Sequence, residues 1–175
     1  MSTHHGHWDS STREIPALAF IEKYANTVDS LDLTAYPFHD WYAPDSVFYN
    51  GDGISYRGGN AIWSWMKGLF SPFTAVHHQV ECIRLFHEQV DFQNAKIDAE
   101  TIILETSTVF TVKGLEPRDQ PIVVPRLLQF TVGASQVAGQ GTDGMQIFVA
   151  KAWWDTAVLQ KEILARKEAS NSEQG

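Results

Sequence analysis

Residues Ser71–Phe86 read SPFTAVHHQVECIRLF. A Ser71-Pro72 turn leads into the histidine pair His77-His78 and then into a run with the period-two alternation of a long strand. Val80, Cys82 and Phe86 fall on one face of that strand together with His78, while Gln79 and Glu81 fall on the other. An imidazole among apolar side chains is open to tuning for proton transfer. A core histidine satisfied by a single hydrogen bond fits the same pattern. His77, one position away, belongs to the outward face. The stretch also divides the chain, because helical periodicity dominates before it and strands dominate after it.

Upstream, Leu18, Ile21, Ala25 and Val28 form an apolar stripe at helical spacing within Thr12–Leu31, with Pro16 near the start. A short second helix is expected over Thr34–Tyr42, stopped by Ala43-Pro44. SVFYN (Ser46–Asn50), the Gly51-Asp52-Gly53 turn and ISYR (Ile54–Arg57) form a hairpin. Gly58-Gly59-Asn60 then breaks the chain, with Asn60 placed to cap a helix carrying Ile62, Trp65, Met66, Leu69 and Phe70. Downstream of the histidine strand come Ala99–Val112, Ile122–Val132 and Met145–Trp154, joined by Lys113–Pro121 and Gly133–Gly144, which have the composition of hairpin loops. A last helix covers Thr156–Lys167. Helices followed by four long antiparallel strands predict an α+β fold with a bent sheet, its concave face covered by helices around a conical cavity.

The chain has 175 residues, enough for a single domain, here placed at residues 12–168. Residues 1–11 (MSTHHGHWDSS) read as a loose tail and 169–175 as a frayed one. A net charge of -8 argues against nucleic acid as partner. No stretch has the ~20 apolar residues of a membrane span. The polar opening and the single cysteine, Cys82, make the cytoplasm the expected compartment. Cys82 reads as a small interior hydrophobe. There is no H-E-x-x-H, no cysteine pair, no G-x-S-x-G and no phosphate-binding glycine loop, so neither metal nor nucleotide cofactor is expected.

Arg126, in VVPRLLQFTV, shares a face with Val124, Leu128, Phe130 and Val132. A guanidinium there is costly unless it is paired or binds an anionic or carbonyl group. It is a candidate to orient a substrate oxygen. The competing expectation is an internal ion pair with Asp52, Glu105 or Asp155, or a pleat reversed by Pro125. Tyr24, Trp41, Tyr49 and Trp153 are the aromatics expected at the cavity mouth, whereas Phe20, Trp65 and Phe70 are assigned to the core. Asp52 is a further acid/base candidate, although a glycine-flanked turn wants aspartate for local reasons.

Three pieces carry a family resemblance: WYAPDSVFYNGDGISYRGGNAIWSWM (Trp41–Met66), HHQVEC (His77–Cys82) and AWWDTAVLQKEI (Ala152–Ile163). Over roughly residues 15–165 the chain resembles the nuclear transport factor 2-like superfamily of cone-shaped α+β rolls, and within it the SnoaL-like small-molecule enzymes. That resemblance implies a cofactor-free isomerase, cyclase or dehydratase acting on a hydrophobic polyketide- or terpenoid-like molecule, and a homodimer. It puts His78 in the cavity and Asp155, at the end of the last strand, in the place of a catalytic base with His78 as acid/base partner. Asp155 would share a face with Ile147, Val149 and Trp153; as the residue before a helix it is equally suited to be an N-cap. The superfamily also holds epoxide hydrolases, ligand carriers and protein-interaction scaffolds, which stand as alternatives.

Overall fold

A single sheet curls around the helices. In the computed structural model, which describes residues 1–113 and 121–172, the elements are β1 (Ser2–His5), α1 (Ser10–Arg13), α2 (Pro16–Asp29), β2 (Tyr42–Tyr49), β3 (Ser55–Arg57), α3 (Gly59–Phe70), β4 (Phe73–Phe92), β5 (Ala95–Val112), β6 (Ile122–Ala134), β7 (Met145–Trp153) and α4 (Thr156–Ser172). The strand order is β1-β4-β5-β6-β7-β2-β3. Neighbours are antiparallel apart from the parallel β2/β7 pair. The α+β class, the bent sheet and the four long strands stand as expected from the sequence. Residues 114–120 of the expected loop and 173–175 of the expected tail lie outside the described residues. No helix among the described residues is long and apolar enough to cross a membrane.

The apolar stripe of α2 and the inner face of α3 pack on the concave side of β4–β7, where Phe20, Ile21, Ile62 and Ile102 are fully buried. The bend brings the far tip of the β4/β5 hairpin back onto the sheet, and Phe92 meets Phe148 with ring centroids 4.8 Å apart. The curled sheet and the helices leave a space between them, which is the cavity.

The first eleven residues are not a loose tail. β1 pairs with β4 from Ser2↔Leu85 to His5↔Cys82. Asp9 caps α1 through a capping box, its carboxylate accepting from the Ser11 and Thr12 N–H groups at 2.8 and 3.0 Å. Composition alone hides this, because the free edge of β4 is what orders a polar strand. The helix expected over Thr34–Tyr42 shrinks to a 3-10 turn at Phe38–Asp40. Tertiary pairing overrides it: the Trp41 carbonyl accepts the Ile147 N–H at 2.8 Å, and Tyr42 opens β2. Asn60 is not the cap of α3, since the helix begins at Gly59 behind Gly58, whose φ is +88°. Gly59 must be glycine, as a Cβ there would stand 2.7 Å from the Phe38 ring.

One irregularity decides which β4 residues face the cavity. Val80 pairs with Thr106, yet Cys82 pairs with Glu105, so Glu81 is an extra residue in β4. The bulge reverses the alternation. His78 and Val80 stay on the concave face and Ile83 takes the next inward place. Cys82 and Phe86, expected beside His78, turn to the opposite face; Cys82 remains buried there.

Candidate functional site

Between α2, α3 and the concave face lies a cavity of about 670 Å³, its open mouth included. Val28, Phe48, Leu69, Phe70, Leu104 and Leu128 make its walls apolar, and Trp8 from the N-terminal segment completes them. Few polar side chains reach this space, chiefly His78, Arg126 and Thr106, with Asn50 and the Tyr24 phenol at its margins.

His78 is held by a residue the sequence did not bring forward. Asp29, the last residue of α2, places Oδ1 2.5 Å from His78 Nδ1, and its Oδ2 accepts the His78 backbone N–H at 2.9 Å. A carboxylate in the last turn of a helix opposes the helix dipole. Its position is explained by β4, whose edge beyond β1 offers an unpaired N–H and an imidazole. When Asp29 accepts Nδ1–H, the neutral imidazole presents Nε2 as its acceptor, and Nε2 has no protein partner among the described residues. His77 shares Asp29 at 3.3 Å and is exposed, as its parity required.

Arg126 projects into the cavity from β6 and is nine-tenths buried. Pro125 does not reverse the pleat: β7 ends at Trp153 opposite Leu127, so Pro125 lies beyond the β6/β7 ladder where its missing N–H costs nothing. None of the three carboxylates considered for an ion pair reaches Arg126, and Glu105 pairs instead with Arg84. The guanidinium carbon lies 4.1 Å from the Trp154 ring centroid and 5.0 Å from that of Phe110. Nε and Nη2 are buried with no hydrogen-bond partner among the described residues, and so is Thr106 Oγ1, directly opposite on β5. Burial pushes the Arg126 pKa down to about 9, which leaves the group charged at neutral pH. Trp154 is fixed in turn by its indole N–H, which donates to Asn50 Oδ1 at 2.9 Å. Gly51 admits it, because a Cβ there would come within 2.9 Å of the Trp154 carbonyl.

Tyr24 lines the cavity as expected, but its hydroxyl is engaged with the Tyr42 hydroxyl at 2.6 Å and with Met66 sulfur at 3.3 Å. Burial raises both phenol pKa values, so the pair is neutral. The other expected site residues lie elsewhere. Asp155 is exposed and caps α4, accepting the Ala157 and Val158 N–H groups at 2.9 and 3.3 Å. Asp52 is exposed and closes its own turn on the Ile54 N–H at 2.8 Å. Trp41 is buried against Phe20 and Tyr24 in the core rather than at the mouth. Tyr49 and Trp153 are 42% and 46% exposed on the other side of the sheet. Phe70 is buried in the core as assigned and also lines the cavity, as does Trp65, which is only partly buried against that core. Among the described residues no three His, Cys, Asp or Glu side chains gather as metal ligands would.

No family model matches the chain, and no curated protein matches it in sequence. Solved structures do match in fold. A protein of Shewanella denitrificans assigned as a SnoaL-like polyketide cyclase superposes with a TM-score of 0.55 at 10% identity, over 90% of this chain and 99% of the other. One from Novosphingobium aromaticivorans assigned as a scytalone dehydratase gives 0.53 at 11%, over 85% and 89%. The Mex67:Mtr2 assembly with bound Sac3N peptide gives 0.59 at 12%, over 82% and 99%. Identities this low establish the nuclear transport factor 2-like fold, which enzymes and non-enzymes share.

Proposed function

We propose that this chain, a nuclear transport factor 2-like roll, is an acid/base enzyme that isomerises, cyclises or dehydrates a hydrophobic, oxygenated small molecule. The observation that carries the reading is the Asp29–His78 pair set in an apolar cavity two strands from a charged Arg126. His78 Nε2 takes a proton from substrate carbon or hydroxyl, and Asp29 supports the imidazolium that forms. The same nitrogen then returns the proton, to another carbon in an isomerisation or to a departing hydroxyl, released as water, in a dehydration. Arg126 holds a substrate oxygen, and the apolar walls fix the carbon skeleton so that one product results. In this reading His78 takes the part of the base that the resemblance gave to Asp155, Asp29 supports it, and Arg126 remains the group that holds a substrate oxygen.

Deleting the gene in the source organism and profiling small molecules tests this. A product should vanish and an isomeric or hydrated precursor accumulate. Wild type and Asp155→Asn should both restore the product. His78→Asn, folded as well as wild type, should lower its formation ~10²–10⁴-fold, the usual worth of a general base. Full restoration by His78→Asn would leave a carrier of the same fold as the better reading.

A further inference from the structure

We infer that the ligand of this cavity carries a carboxylate, bound along the Nε/Nη2 edge of Arg126 with the Thr106 hydroxyl as an additional donor. This deepens the acid/base reading by naming its substrate class, and rests on it for taking the cavity as the reaction site. Buried polar groups are nearly always satisfied, so a side chain with orphaned donors in the wall of a cavity marks where a ligand atom belongs. The unpartnered donors are not scattered: Nε and Nη2 form one edge of the planar guanidinium, spaced to meet two oxygens at once.

The molecule shows what that edge takes. In Arg13 the same two atoms, Nε and Nη2, donate to the two oxygens of Glu22 at 2.8 and 2.7 Å. A single carbonyl oxygen would have to take both Arg126 donors on its two lone pairs, with poorer alignment than the two oxygens of a carboxylate. Thr106 faces Arg126 in register on the neighbouring strand, within the ~5 Å of directly opposed residues, and its buried hydroxyl also lacks a partner. Trp154 and Phe110 cover the guanidinium with ring faces, which stabilise the charge without occupying its in-plane donors. His78 lies two strands away on the same face, with Thr108 opposite it on β5, so the reacting atom sits apart from the carboxylate, and the otherwise apolar cavity walls suit an aryl or alicyclic ring between them. The substrate class is therefore a small apolar carboxylic acid.

Calorimetric titration of the full chain with 1-naphthoate and cyclohexanecarboxylate, each against its own amide, tests the inference. The acids should bind at least tenfold tighter than the amides. Arg126→Gln should abolish that preference, and Thr106→Val should weaken acid binding several-fold while leaving the amides unchanged. If Arg126→Gln does not fold, Arg126→Lys takes its place; it keeps the charge, loses the planar edge, and should cost about tenfold in acid affinity. Equal binding of acid and amide, no binding of either acid, or a preference that survives Arg126→Gln overturns the proposal. His78→Asn should keep the acid preference. If it does, and also restores product in the deletion strain, the carboxylate site stands and the acid/base reading falls.

Discussion

Arg126 places a positive charge in an apolar cavity and meets it with two ring faces instead of a carboxylate. Such burial lowers stability, and cation–π contact offsets only part of the loss. Arg126→Met should therefore stabilise the ligand-free protein by about 1–2 kcal/mol in urea unfolding at pH 7. The pH dependence follows from the pKa, which burial lowers to about 9 in the folded protein, well below that of an exposed guanidinium. Below 9 both folded and unfolded chains hold the proton and the full cost is present. Above 9 the folded chain releases it first, so wild-type stability rises with pH relative to the variant. The advantage of Arg126→Met should be constant from pH 6 to 8 and shrink above 9; a constant gap to pH 10 would exclude this account. Asp155 makes the opposite case. As an exposed cap, Asp155→Ala should cost about 1 kcal/mol and leave turnover untouched, read by unfolding and by product formation. Sequence pattern separates these residues unevenly for a physical reason. β6 alternates cleanly, so Arg126 declares its face. β7 is buried on both sides at Ile147 and Phe148, and its inward places near the cavity are the small Ala150 and Ala152, so alternation there could not tell Trp154 from Trp153.

At the level of elements, strand identity was legible and strand geometry was not. The four long strands follow from β-branched and aromatic runs, but the bulge at Glu81 leaves no mark in an alternating sequence, because it is set by pairing with β5. Asp29 was hidden likewise: nothing local joins a helix end to a strand some fifty residues on, and only its poor fit with the helix dipole hinted at a partner. The β4/β5 hairpin shows how tight a local solution can be. Its two linking residues, Gln93 and Asn94, have φ of 52° and 64°, the left-handed pair of a type I′ turn. Asn94→Gly should raise stability by about 0.5–1 kcal/mol in chemical denaturation, since glycine enters that region without strain. A loss of stability would show that the asparagine side chain does more than tolerate the turn.

Over the whole molecule, the fold is a wall built from distant parts of the chain, and one part has a timing of its own. β1 is synthesised well before its partners on β4, Leu85 to Cys82, which emerge roughly eighty residues later. Loop closure over that length comes late, and a four-residue edge strand returns little for it. β1 and Trp8 should therefore dock last in folding and detach first in the native state. Amide hydrogens of residues 2–8 should exchange well ahead of those in β5 and β6, and a ligand that contacts Trp8 should slow them selectively. Uniform protection along the chain would contradict this order. If that order holds, the chain passes through a form with its histidine and arginine already placed and one wall still open, in which a substrate could settle before the molecule has finished folding around it.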